Sequence, residues 1–205
     1  MRILLTDAGK RYNREWIFRH ANHEFLPATS YAITGPNGSG KSTLLQVISG
    51  SIIANEGTVR FFEDQVEIAT EMQFQQVSIC APYLEVIEEM SALEFLQFHF
   101  TFKPSLNGIT PQEIVHKIQL QHAAGKQIRY YSSGMKQRLK LAQVFFTETP
   151  FVLLDEPCTN LDTDGIALYL DLIKDYCNNR TIIVSSNDIT EYSFCEKRID
   201  MMTMK

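Results

Sequence analysis

The segment Gly35-Pro-Asn-Gly-Ser-Gly-Lys-Ser-Thr43 constrains the fold more than any other part of the chain. It follows the apolar run Ser30-Tyr-Ala-Ile-Thr34 and precedes Leu44, Leu45, Val47 and Ile48, whose spacing is helical. A strand that turns through a glycine-rich loop directly into a helix begins an α/β unit. The glycines let the backbone fold tightly enough for successive N–H groups to face one centre, and the helix N-terminus adds favourable partial charge there. Such a loop suits phosphate oxygens. Gly35, Asn37, Gly38, Ser39, Gly40, Lys41, Ser42 and Thr43 are therefore the expected phosphate-binding residues, with Lys41 reaching the β- and γ-phosphates and Ser42 offering a hydroxyl to Mg²⁺.

Further apolar runs, Val77-Ser-Ile-Cys-Ala81, Phe151-Val-Leu-Leu154 and Thr181-Ile-Ile-Val184, read as strands buried on both faces. That pattern belongs to a parallel sheet covered by helices. Met135, Leu139, Ala142 and Phe146 fall on one helical face, as do Ile166, Leu170 and Ile173. Near the N-terminus, Arg2 to Asp7, Trp16 to Phe25 and Gly57 to Phe62 alternate as antiparallel strands do. From Tyr83 to Gln127 no strand-like run occurs, and Pro104, Gly108 and Pro111 interrupt a helical pattern. The expectation is one α/β domain over residues 1–205, with an antiparallel N-terminal portion, a mostly parallel central sheet and a helical subdomain inserted at about 83–130.

Bulk properties exclude several classes. A net charge of −5 gives no general attraction to nucleic acid, so no nucleic-acid partner is expected. Cys80, Cys158, Cys177 and Cys195 lie too far apart for a zinc motif and read as reduced cytosolic thiols. His20, His23, His99, His116 and His122 show no metal-ligand spacing. No run approaches the ~18 apolar residues needed to cross a bilayer, so work at a membrane requires another chain.

Phe151-Val-Leu-Leu-Asp-Glu156 delivers two carboxylates at the end of an apolar strand, where ligands bind in open α/β sheets. Asp155 is expected to hold Mg²⁺ and Glu156 to act as general base toward the attacking water. A dozen or so residues upstream, Tyr131-Ser-Ser-Gly-Met-Lys-Gln-Arg-Leu139 resembles the LSGGQ signature of ATP-binding cassette proteins. Ser132 and Gly134 match it, and Ser133 replaces a glycine. Asn160-Leu161-Asp162 is similar to that family's loop at the partner subunit, and Tyr12, or alternatively Trp16, to its adenine-stacking aromatic.

The resemblance runs from Ile3 to about Met202 and implies a P-loop ATPase that binds ATP and Mg²⁺. It also implies a dimer, expected to pair identical subunits, in which the cradle of one copy faces Ser132 and Gly134 of the other across ATP. A separate integral membrane permease subunit would hold the pair at the cytoplasmic side. Phe95, Leu96, Phe98, Phe100 and Phe102 could dock that subunit, although core packing is the expectation for most of them, and Glu85, Glu88 and Glu89 could line the same surface.

Two positions depart from the family pattern. Pro82 or Tyr83 stands where a metal-contacting glutamine belongs, and Asn187 stands where a histidine belongs. The Asn187 amide can still donate to a γ-phosphate, but it carries no charge and no labile proton. ATP binding with slow or partner-dependent turnover is the expected result. A nucleotide-dependent dimerisation switch and a soluble cassette ATPase outside transport are the alternatives.

Overall fold

The computed structural model describes residues 1–204, which divide into two compact units. The first comprises Met1–Ile79, Pro150–Glu156 and Asn179–Lys205, of which Lys205 lies outside the described residues. The second comprises Cys80–Thr149 and Pro157–Asn178.

The chain order is β1 (Arg2–Tyr12), β2 (Glu15–Phe25), β3 (Ser30–Thr34), α1 (Lys41–Ile48), β4 (Glu56–Glu63), β5 (Val66–Glu67), β6 (Val77–Cys80), α2 (Ala92–His99), α3 (Pro111–Lys117), α4 (Ser133–Phe145), β7 (Phe151–Asp155), α5 (Thr163–Tyr176), β8 (Thr181–Ser185), α6 (Ile189–Tyr192) and β9 (Lys197–Asp200). None of the helices among the described residues is long and apolar enough to cross a membrane.

The first unit holds both sheets. One has the order β2-β1-β4-β5, with its register pairs antiparallel, and its alternating exposure reflects one buried face. The other has the order β6-β7-β8-β3-β9, and the β7–β8, β8–β3 and β3–β9 pairs are parallel. Every residue of β3, β7 and β8 is buried, as their continuous apolar runs require. Phe61 of β4 meets Phe151 of β7 edge to face at 5.5 Å, joining the two sheets across one core with Leu44 and Ile48 of α1. The order β7-β8-β3 brings the ends of three strands together beneath the glycine-rich loop.

The second unit is helical. Phe95 and Leu96 of α2, Ile114 and Val115 of α3, Leu139, Ala142 and Phe145 of α4 and Tyr169 of α5 are buried. Phe145 packs on Tyr169 with ring centres 6.1 Å apart. The α5 face differs from the expected Ile166, Leu170 and Ile173: Gly165, Tyr169, Leu172 and Ile173 are buried, while Ile166 and Leu170 are half-buried. A Cβ on Gly165 would lie 3.0 Å from Asp162 Oδ1 and 3.1 Å from Leu161, so the glycine admits the close approach of the loop that precedes α5.

Candidate functional site

In the first unit the loop after β3 takes a conformation that needs its glycines. Gly35, Gly38 and Gly40 have φ of 148°, 76° and 104°, in the range L side chains rarely adopt. Gly40 carries a second requirement, because a Cβ there would stand 2.4 Å from Ile17 Cγ2. Ser39 N–H closes a turn onto the Pro36 carbonyl at 3.0 Å. Gly40 is also the N-cap of α1, which has no side-chain cap and no acidic residue in its first turn. The start of α1 is therefore a donor-rich, uncompensated positive end.

Ile17, Asn37, Gly38, Gly40, Lys41, Ser42, Thr43 and Glu156 line a cleft of about 230 Å³ at this point. Lys41 is buried, and its ammonium donates to the carbonyls of Gly35 at 2.8 Å and Pro36 at 3.4 Å, so the loop holds the cation in place. Asn187 contacts the loop itself. Its amide nitrogen donates to Asn37 Oδ1 at 3.0 Å, and its oxygen accepts the Gly35 N–H at 3.4 Å. Glu156 follows β7 with φ 44°, its N–H donating to the Ser185 carbonyl at 2.9 Å, and its exposed side chain lines the cleft.

Asp155 is 2% exposed, and its Oδ1 has no hydrogen-bond partner among the described residues. An isolated buried carboxylate is costly unless a cation or donors complete it. The oxygen-only donor set of Asp155 and Ser42 thus fits a hard divalent cation such as Mg²⁺.

The second unit presents its own cleft, of about 360 Å³, lined by Gln119, Leu120, His122, Ser132, Ser133, Gly134, Met135, Arg138, Asn160 and Asp162. Ser132 is the N-cap of α4, its Oγ accepting the Met135 N–H at 3.2 Å, which leaves the hydroxyl proton available to donate. A Cβ on Gly134 would approach the Asn160 carbonyl at 3.0 Å, so glycine permits the close packing of signature and loop. Asp162 caps α5 through the Gly165 N–H at 2.8 Å and accepts from Arg138 at 3.2 Å. Those two partners, the Gly165 N–H foremost, hold the Asp162 carboxyl below its ordinary range.

The basic residues around the signature are engaged within their own unit. Lys136 pairs with Glu88, Arg129 with Glu89 at 3.8 Å, and Lys140 donates to the Pro82 carbonyl at 3.4 Å. Of the aromatic cluster considered for docking, Phe95 and Leu96 are buried, whereas Phe98 and Phe102 are exposed and stack edge to face at 5.1 Å. Tyr83 is exposed.

Tyr12 lies at the tip of the β1–β2 hairpin, 48% exposed, with Lys10 Nζ 5.4 Å from its ring centre. It is not among the residues lining the cleft. Trp16 is half-buried, with the guanidinium groups of Arg19 and Arg11 at 4.5 and 5.5 Å from its ring. The neighbour that does line the cleft is Ile17, which no motif marks. Gln119 and His122 beside the signature are marked by no motif, whereas Arg138 belongs to the basic residues that make the signature region locally positive.

A family model for "ABC transporter" matches residues 18–159, spanning the cradle, the signature and the acidic strand. The chain belongs to the ABC transporter family. It is a P-loop ATPase of that family. The ABC transporter ATP-binding protein YybJ of Bacillus subtilis (strain 168) is 26% identical over 202 residues, covering 97% of this chain and 92% of YybJ. YxlF of the same organism is 32% identical over 185 residues, covering 83% of this chain but only 59% of YxlF, so this chain spans little more than half of some relatives. Among solved structures, the dimer of the ATP-binding cassette MJ0796 in a post-hydrolysis state bound to ADP and Pi has a TM-score of 0.83 at 22% identity, covering 97% of this chain and 93% of that one. At that identity the likeness establishes the ABC cassette fold.

Proposed function

We propose that this ABC ATPase is an energy-coupling subunit that binds Mg-ATP between two copies of itself and drives a separate membrane-spanning subunit from the cytoplasmic side. The observation that carries the reading is the cleft at the uncapped start of α1, where Lys41, Ser42 and Glu156 come together with the glycine-rich loop. The family match and the dimeric likeness support it.

In this reading the loop N–H groups and Lys41 hold the phosphates, with Lys41 exchanging the Gly35 and Pro36 carbonyls for phosphate oxygens. Ser42 and Asp155 would hold Mg²⁺, which would supply charge neutralisation to the phosphates. Glu156 accepts the proton of the attacking water. Asn187 leaves Asn37 and donates its amide to the γ-phosphate. Ser132 and Gly134 of the second copy supply a hydroxyl and helix-terminal N–H groups to the same phosphate. ATP then favours the closed dimer by contacts that only that state provides, and hydrolysis removes them.

The departures at Pro82–Tyr83 and Asn187 favour a second reading, in which nucleotide drives dimerisation with little hydrolysis. Loss of one positioned donor lowers a rate by about 10²–10³. Phosphate release with Mg-ATP, followed alongside light scattering for wild type and Glu156→Gln, separates the readings. The energy-coupling proposal expects turnover in wild type, a fall of about 10²–10⁴ in the variant, and a trapped dimer. ATP-dependent dimers without phosphate release from either protein, even with a membrane partner supplied, would favour the switch.

A further inference from the structure

The ends of β7 and β8 carry a buried polar pair of which only one member has a role above. Asp155 and Ser185 are register partners in adjacent parallel strands, so their side chains leave the same face of the sheet. They are 2% and 0% exposed, and neither Asp155 Oδ1 nor Ser185 Oγ has a hydrogen-bond partner among the described residues. A buried polar group without a partner is destabilising, and native proteins keep such groups where something else completes them.

The backbone of Ser185 is fixed from two sides. Its carbonyl accepts the Glu156 N–H at 2.9 Å, and the following Ser186 N–H donates to the Ile33 carbonyl at 3.2 Å. Two residues further on, Asn187 contacts the loop at Asn37 and Gly35. The hydroxyl is left with rotation about its own side chain, and its register partner carries a carboxylate oxygen without a donor.

We infer that Ser185 is a positioning residue for the metal site: its hydroxyl donates to the Asp155 carboxylate when the divalent cation is bound with nucleotide, fixing the orientation in which Asp155 serves the cation. The inference rests on the reading of Asp155 as a metal-holding group. Hydrogen-bonded neighbours of this kind tune metal affinity by orienting the acidic group.

The test uses Mn²⁺ with the non-hydrolysed nucleotide AMP-PNP, read by electron paramagnetic resonance, on wild type, Ser185→Ala, Asp155→Asn and the double variant. Ser185→Ala is expected to weaken Mn²⁺ in the nucleotide complex about tenfold or more. Its nucleotide affinity in EDTA and its melting temperature without ligand should not fall, because the lost hydroxyl had no partner in the free protein. On the Asp155→Asn background the same change should have no further effect on Mn²⁺. Unaltered Mn²⁺ binding, an equal loss of nucleotide affinity with and without metal, or a lowered ligand-free melting temperature would overturn the inference. A wild type that takes up no Mn²⁺ with nucleotide would overturn both the inference and the metal reading of Asp155, whereas a defect confined to the Ser185 variants leaves that reading standing.

Discussion

Helix α1 starts on Gly40 with no side-chain cap, whereas α2, α3 and α5 in the second unit each start on a residue whose side chain bonds the helix N-terminus. Ser91 with Glu94, and Thr110 with Glu113, form reciprocal capping boxes. The backbone and hydroxyl donors of Ser91 and Thr110 pull their glutamate carboxyls below the ordinary range. The contrast does not separate the units as such, because α6, in the same unit as α1, is capped by Asp188. It separates helices whose N-termini a side chain satisfies from one whose N-terminus is left open. Helix α4 stands between these cases: Ser132 caps it through oxygen while keeping a proton to donate.

The comparison can be broken most directly at Gly40. An alanine there faces both φ 104° and the 2.4 Å approach to Ile17, so Gly40→Ala should disrupt the loop and weaken fluorescent-ATP binding by about 100-fold, or ~2.7 kcal/mol. Binding within a factor of a few of wild type would show that the loop geometry is not needed for the phosphate. Supplying the missing acid comes next in size. Thr43→Glu puts a carboxylate in the first turn of α1, where it should raise ligand-free stability by about 0.3–1 kcal/mol while lowering ATP affinity about tenfold. Opposite signs in urea unfolding and in ATP titration are the expected signature, and a matched gain in both would contradict an end reserved for phosphate.

A capped helix should behave the other way. Asp162→Ala removes the bond to the Gly165 N–H and should cost about 1 kcal/mol in chemical unfolding, with little change in ATP binding to the isolated subunit. A further test of the second unit concerns pH. His99 sits among α2 and α4 residues, with Nδ1 on Gln143 at 2.9 Å and Nε2 on Thr147 at 2.8 Å, and burial, reinforced by Lys103, lowers its pKa from 6.5 to about 4. Above pH 6.5 the ring is neutral in both folded and unfolded chains, and its contribution is fully present. As pH falls from 6.5 through about 4, the unfolded chain takes up the proton first, so that contribution is lost. His99→Gln should flatten the acid limb of a stability–pH curve in that window, and an unchanged slope would mean that the ring is not held neutral.

The phosphate loop was legible in the sequence because its chemistry is contiguous: glycines, lysine and serine act through neighbouring backbone, and the flanking apolar runs fix strand and helix. The acidic pair after β7 was legible for the same reason. The α5 face was not, since of three residues at helical spacing, Ile166, Leu170 and Ile173, only Ile173 is buried, and the buried side runs through Gly165, Tyr169 and Leu172 instead. Aromatic character marks Tyr12 and Trp16 as able to stack, and the structure adds that Ile17, next to Trp16 in β2, lines the cleft at the phosphate loop.

By itself the sequence determined the α/β class, the strand–loop–helix cradle, the order of the motifs and the positions where a glutamine and a histidine are replaced. The class, the cradle and the acidic strand follow from local periodicity, turn chemistry and residue type, whereas the signature and the two replaced positions rest on the resemblance to the ATP-binding cassette family. Only the tertiary structure decided that Asn187 closes on Asn37 and Gly35, that Ser185 lies in register with Asp155, and that Gly134 packs against Asn160. Those pairings join residues far apart in the chain, and they are set by the register of parallel strands and the packing of helices, which no short window of sequence encodes.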